Sequence, residues 1–201
     1  MCKIYYRDDE IVVCQKPSGM LSEGEGEGTM PFVLLGTLEE NEIKIYPVHR
    51  LDRETEGIMV YALSARAAAS LSTQFAEHKT VKEYVATVHG VPEPSEGTMR
   101  DLLFFDRARG RSYPVSRMRK GVKEAELSYR LLDSENGISR VRVRLHTGRT
   151  HQIRVQFASR KMPLVGDRRY GAPAGDSPFS LRACLLSFSH PITGETMTFE
   201  D

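Results

Sequence analysis

At 201 residues, with 40% hydrophobic and 27% charged residues, the chain is long enough to bury a core and has an ordinary globular composition. No apolar run reaches the ~18 residues of a membrane helix, and the N-terminus lacks the apolar core of a signal peptide. No membrane partner and a cytoplasmic location are therefore expected. Cys2, Cys14 and Cys184 have neither zinc-site spacing nor that of a disulfide framework, and they are read as ordinary buried residues. The net charge of +1 hides an asymmetry. Residues 1–100 carry 10 Lys/Arg against 16 Asp/Glu, and residues 101–201 carry 18 against 11.

Lys3–Gln15 reads as a strand pair, and Lys16-Pro-Ser-Gly19 then forces a turn. Glu23-Gly-Glu-Gly-Glu-Gly28 is an acidic run whose carboxylates would repel phosphate, so it is a mobile loop rather than a nucleotide-binding one. Pro31–Glu42 is predicted helical. Gly57–Leu63 has the length and apolar density of a buried strand, and Ser64 caps a predicted helix over Ala65–His78. Lys82–Gly90 alternates as a strand, with Tyr84, Ala86 and Val88 on one side. Pro92, Pro94 and Gly97 predict a loop. Arg107–Lys120, with six basic residues, is read as a basic loop able to meet phosphates.

Glu124–Leu132 and Ile138–Leu145 read as a hairpin around Ser134-Glu-Asn-Gly137. Its second arm sets Val141, Val143 and Leu145 against a row of Arg140, Arg142 and Arg144. Thr150–Arg160 is predicted helical, and strands near Leu181–Phe188 and Glu195–Glu200 flank the turn at His190–Gly194. The pattern is α+β, a large, mainly antiparallel mixed sheet flanked by helices and loops. One domain is expected over 1–201.

Two segments carry the chemistry: His49-Arg-Leu-Asp-Arg-Glu-Thr-Glu-Gly57 and Arg149-Thr-His-Gln-Ile-Arg-Val155. In the first, Asp52 lies between Arg50 and Arg53, and neighbouring positive charge favours the ionised carboxylate. Such an Asp can be a nucleophile or a structural ion-pair partner. The histidines His49, His89, His146, His151 and His190 lack ligand spacing and are read as hydrogen-bonded structural residues.

With Lys16-Pro-Ser-Gly19, Lys82–Gly90, Pro163-Leu-Val-Gly-Asp167, Tyr170-Gly171 and Phe188-Ser-His-Pro191, these segments resemble, in order, the RluA-type RNA pseudouridine synthases. The resemblance covers about 175 residues and implies a pseudouridine-synthase-like catalytic domain without the family's N-terminal accessory RNA-binding domain. It implies an isomerase that detaches uracil from ribose in ribosomal or transfer RNA, rotates it and rejoins it through carbon 5. Asp52 is then the nucleophile, and Tyr84 packs on the base and is a candidate for moving the carbon-5 proton. Arg154 pairs with the catalytic carboxylate, and Arg50 fills the gap left by the flipped uridine. Arg149, Leu181, Arg140, Arg142 and Arg144 complete the expected substrate-binding set, the arginines as phosphate contacts.

No metal or organic cofactor is expected, and a monomer is. Two positions depart from the family pattern: Glu56 stands where serine is common, and Leu181-Arg-Ala183 replaces Leu-His-Ala. A catalytically idle RNA-binding or RNA-folding protein on the same scaffold is the alternative, and a hydrolase using Asp52 with Glu54 or Glu56 is a second.

Overall fold

The computed structural model describes residues 2–39, 43–175 and 177–201. In chain order these form β1 (Ile4–Arg7), β2 (Ile11–Lys16), α1 (Met30–Leu38), β3 (Tyr46–Pro47), β4 (Glu56–Ala62), α2 (Ala65–Ala76) and β5 (Val81–His89). There follow β6 (Glu96–Asp106), β7 (Arg111–Val115), β8 (Val122–Glu135), β9 (Ile138–Leu145) and α3 (Gln152–Ser159). A 3₁₀ turn (Arg168–Tyr170), β10 (Leu181–Ser189) and β11 (Thr196–Glu200) complete the chain. The class is α+β with a mixed, largely antiparallel sheet, and the chain divides into two compact units: 1–82 with 183–201, and 83–182.

In the first unit the strand order is β1-β2-β4-β10, with β3 on β4 and β11 on β10. Strand β4 is buried from Gly57 to Ala62, as its apolar run predicts, and β2 pairs with it antiparallel, Lys16 opposite Gly57. Ile11, Val13, Ile58, Val60, Leu186 and Phe188 pack with Ala67 and Leu71 of α2. At the start of α2 the Ser64 hydroxyl accepts from the Ala67 N–H, satisfying one of the donors a helix start leaves unpaired. Helix α1 starts one residue earlier than predicted, with Thr29 as its cap and Pro31 in its first turn. It ends at Leu38, before a left-handed Glu39; the predicted continuation over 40–42 lies outside the described residues.

In the second unit the order is β5-β9-β8-β6-β7, with each neighbouring pair antiparallel. Tyr84, Ala86 and Val88 of β5 are buried together, and Val141 and Val143 face the core from β9. Asn136 and Gly137 close the β8–β9 hairpin, both with positive φ (50° and 76°), as its two-residue turn demands.

Two expectations are corrected here. The stretch around Gly97 is strand, because β6 runs unbroken from Glu96 to Asp106 between β7 and β8. The basic loop is likewise interrupted: Arg111–Val115 is strand β7, so the cations sit on it and on the turns at either side. Pro114 is tolerated in a strand because β7 is the last strand in the order of its unit.

Candidate active site

Asp52 lies in the segment between β3 and β4, and the Lys16–Ser22 stretch holds that segment by its backbone. The Lys16 ammonium, wholly buried, donates to the carbonyls of Pro17, Met20 and Arg53 at 2.9, 2.8 and 2.9 Å. Gly19 N–H donates to the Arg53 carbonyl (2.8 Å), and Arg53 Nε returns a bond to the Gly19 carbonyl (2.9 Å). Ser18 Oγ donates to Glu54 O (2.7 Å). Buried Ser22 Oγ both donates to the Leu51 carbonyl (2.9 Å) and accepts from the Leu51 N–H (3.0 Å).

The Lys-Pro-Ser-Gly and His-Arg-Leu-Asp motifs are therefore two halves of one scaffold, which the sequence shows only as two separate segments. Burial pulls the Lys16 ammonium down to about 8, against the opposing pull of Asp52, Glu54 and Glu56. Lys16 is thus the buried cation whose charge these carboxylates support.

His49 has the structural role expected of it. Its Nε2 accepts from Val60 N–H (3.1 Å), and its ring stacks on Phe75 with centroids 4.4 Å apart. Burial pushes the imidazole down to about 3, so it stays neutral. Gly57 ends the motif for a steric reason. Its φ is +124°, and a Cβ there would lie 2.2 Å from the Ala183 carbonyl oxygen, so only glycine lets β4 approach β10 this closely.

The flanking arginines also have partners outside the motif. Arg53 reaches Gly19, and exposed Arg50 lies 3.4 Å from Glu23.

The second unit carries Tyr84 and Arg154. Tyr84 is buried near the start of β5. Arg154 is 5% exposed and forks onto Asp167, itself 1% exposed. Nε meets Oδ2 at 2.7 Å and Nη2 meets Oδ1 at 2.9 Å, a bidentate, charge-assisted geometry that fixes the guanidinium plane. The rings of Tyr170 and Phe179 lie 5.2 and 5.0 Å from the guanidinium carbon, within cation–π range.

Tyr170 is itself held. Its hydroxyl accepts from Ser112 N–H (2.8 Å) and bonds His151 Nδ1 (2.9 Å). Gly166 allows the approach that brings Phe179 in, since a Cβ on it would meet the 178–179 backbone at 2.6 Å. Asp167 and Tyr170 lie in matching motifs that assign them no role in the sequence, and only the fold shows them gathered on Arg154.

Helix α3 starts without a conventional cap, from a left-handed His151. Gln152 replaces it, with Oε1 accepting from Arg149 N–H and the Thr147 hydroxyl while Nε2 donates to the Glu126 carbonyl.

The expected phosphate contacts divide. Arg140 meets Asp133 at 3.2 Å and Arg142 meets Glu83 at 2.6 Å, whereas Arg144 is exposed. Arg149 Nε donates to the Glu124 carbonyl from an exposed position. Leu181 is buried at the start of β10.

The model of the RNA pseudouridylate synthase family matches residues 10–159. The chain belongs to that family. It is an RluA-type pseudouridine synthase: it is 34% identical to the dual-specificity RNA pseudouridine synthase RluA of Escherichia coli (strain K12), over 98% of this chain and 91% of that one. An uncharacterized RNA pseudouridine synthase of Aquifex aeolicus (strain VF5) is 37% identical over 98% of this chain and 68% of its own length. The solved structure of human RNA pseudouridylate synthase domain containing 4 superposes with a TM-score of 0.81 at 26% identity, covering 99% of this chain and 87% of that one. This pseudouridine synthase is thus an RNA-binding enzyme of its family. Among the described residues no helix is long and apolar enough to cross a membrane.

Proposed function

We infer that this pseudouridine synthase isomerises specific uridines in ribosomal or transfer RNA, with Asp52 as its nucleophile. The target base is flipped out of its stack, at a cost of a few kcal/mol. Asp52 adds covalently to the nucleotide as the N1–C1′ bond breaks, the uracil turns, a C5–C1′ bond forms with release of Asp52, the C5 proton leaves and N1 takes up a proton. Product and substrate are isomers, so the atoms balance without oxidant or reductant.

Tyr84 packs on the base and serves the proton transfer. Arg154 orients the carboxylate chemistry, and Arg50 takes the space of the flipped base. Arg144, Arg149 and the cations flanking and on β7 contact phosphates, with Arg140 and Arg142 contributing after exchange of their carboxylate partners. A monomer working in the cytoplasm completes the reading.

The observation that carries it is the Asp52 segment, whose main chain is held by hydrogen bonds to the Lys16, Ser18 and Ser22 side chains. A nucleophile requires that kind of pre-organisation, and a solvated surface loop does not. The name of the Escherichia coli relative, dual-specificity, makes more than one RNA worth testing. Tritium release from carbon-5-labelled uridine in unmodified ribosomal and transfer RNA transcripts is the experiment. Release from either class identifies the substrate. RNA binding with no release from any transcript would instead favour an idle RNA-binding protein.

A further inference from the structure

We propose that the Glu23–Gly28 loop is a selectivity element, in which Glu23 competes with RNA phosphate for Arg50 so that only RNA making enough other contacts displaces it. The proposal rests on the reading of Arg50 as an RNA-contacting residue. Glu23 Oε1 lies 3.4 Å from Arg50 Nη1, with the two side chains 59% and 66% exposed, so incoming RNA can reach the pair. The loop is closed on itself: Leu21 N–H donates to Gly28 O (2.9 Å) and Met30 N–H to Leu21 O (2.8 Å). Thr29 Oγ1 further donates to Gly26 O (2.8 Å).

The loop is also anchored to the Asp52 segment. Ser22, the residue before Glu23, is 3% exposed and exchanges two hydrogen bonds with Leu51, the residue after Arg50. Glu23 and Arg50 are therefore each one residue from the same buried clamp, and their encounter follows from the fold.

An exposed ion pair contributes little to folding, and Glu25 and Glu27 project from the same closed loop into solvent. Three carboxylates concentrated there have their main effect on an approaching polyanion. The field reaches about 8 Å at physiological salt, so it acts on phosphates near Arg50 and not on distant ones. RNA that docks only through its backbone meets this opposition uncompensated. RNA that also delivers a base to the site overcomes it.

The test compares wild type with Glu23→Gln, the triple variant E23Q/E25Q/E27Q, and Arg50→Gln in both the wild-type and triple backgrounds. The probes are a labelled 15-mer of oligo(A) and an unmodified transfer-RNA transcript, bound across a KCl series. The triple variant is expected to bind oligo(A) roughly three- to tenfold tighter at 50 mM KCl, with a salt slope steeper by about one phosphate contact. Its gain on the transcript should be smaller, and Glu23→Gln should give part of each effect.

Unchanged or weaker oligo(A) binding by the triple variant, while Arg50→Gln weakens binding, would overturn the selectivity element and leave Arg50's role standing. Should Arg50→Gln alter neither RNA in either background, the Arg50 assignment fails and the proposal falls with it.

Discussion

Asp167→Asn isolates the Arg154 support with almost no change of shape. The fork between Asp167 and Arg154 is nearly solvent-free, at 1% and 5% exposure, and makes two bonds of 2.7 and 2.9 Å. Removing one member of a buried pair costs roughly 3–5 kcal/mol, because charge left in a low-dielectric setting loses its partner. For a chain of this size that is a fall of about 6–20 °C in Tm. Pseudouridine formation should fall as well, since the guanidinium plane set by the fork is lost.

Thermal denaturation and single-turnover kinetics measure both effects. The double variant R154M/D167L separates them: replacing both charges with apolar groups of similar volume recovers much of the stability, while activity stays lost. A drop below about 1 kcal/mol in Asp167→Asn, or full activity in the double variant, would refute the account of this pair.

Gly57→Ala should destabilise by roughly 2–6 kcal/mol, from positive-φ strain and backbone overlap together, read as a large loss of Tm or of soluble protein; a near-native Tm would contradict the close β4–β10 approach. His49 is depressed to about 3 by burial, whereas in the unfolded chain it titrates near 6.5. Its contribution is therefore complete above about 6.5 and lost as pH falls toward about 3, at up to roughly 1.4 kcal/mol per unit. Urea denaturation at pH 7 and 4.5 should show this loss, and His49→Gln should reduce it. Lys16, lowered to about 8, loses its proton as pH rises through that value, leaving two N–H donors for three carbonyls. The single-turnover rate should fall through pH 8, and a rate flat to pH 9 would contradict the clamp.

Local patterning made most of the fold legible. The Ser64 cap, the apolar run of β4, the alternation of β5 and the Asn136-Gly137 turn are each decided within a few residues, and each forms as its sequence predicts. Strands β6 and β7 were obscured because prolines and cations outweighed a weak alternation. The pairing of β6 with β8, which lies twenty or more residues away along the chain from most of β6, and of β7 with β6 settles them as strands.

At the site, His49 and the Asp52 motif could be picked out, but their supports could not. Lys16 reaches Arg53 across 37 residues, and Asp167 reaches Arg154 across 13 with no periodicity linking them. The partners of Arg50 and Arg53 were not legible either, because consecutive residues of an irregular segment point different ways. Arg50 turns to Glu23 and Arg53 to Gly19.

The central claim is that Asp52 performs the isomerisation. Wild type and Asp52→Asn should be compared for tritium release from carbon-5-labelled uridine in whichever transcript the wild type modifies, with RNA binding measured in parallel. The account predicts release by wild type, none above background by Asp52→Asn, and similar RNA affinity for both. Equal release by the two proteins would contradict it.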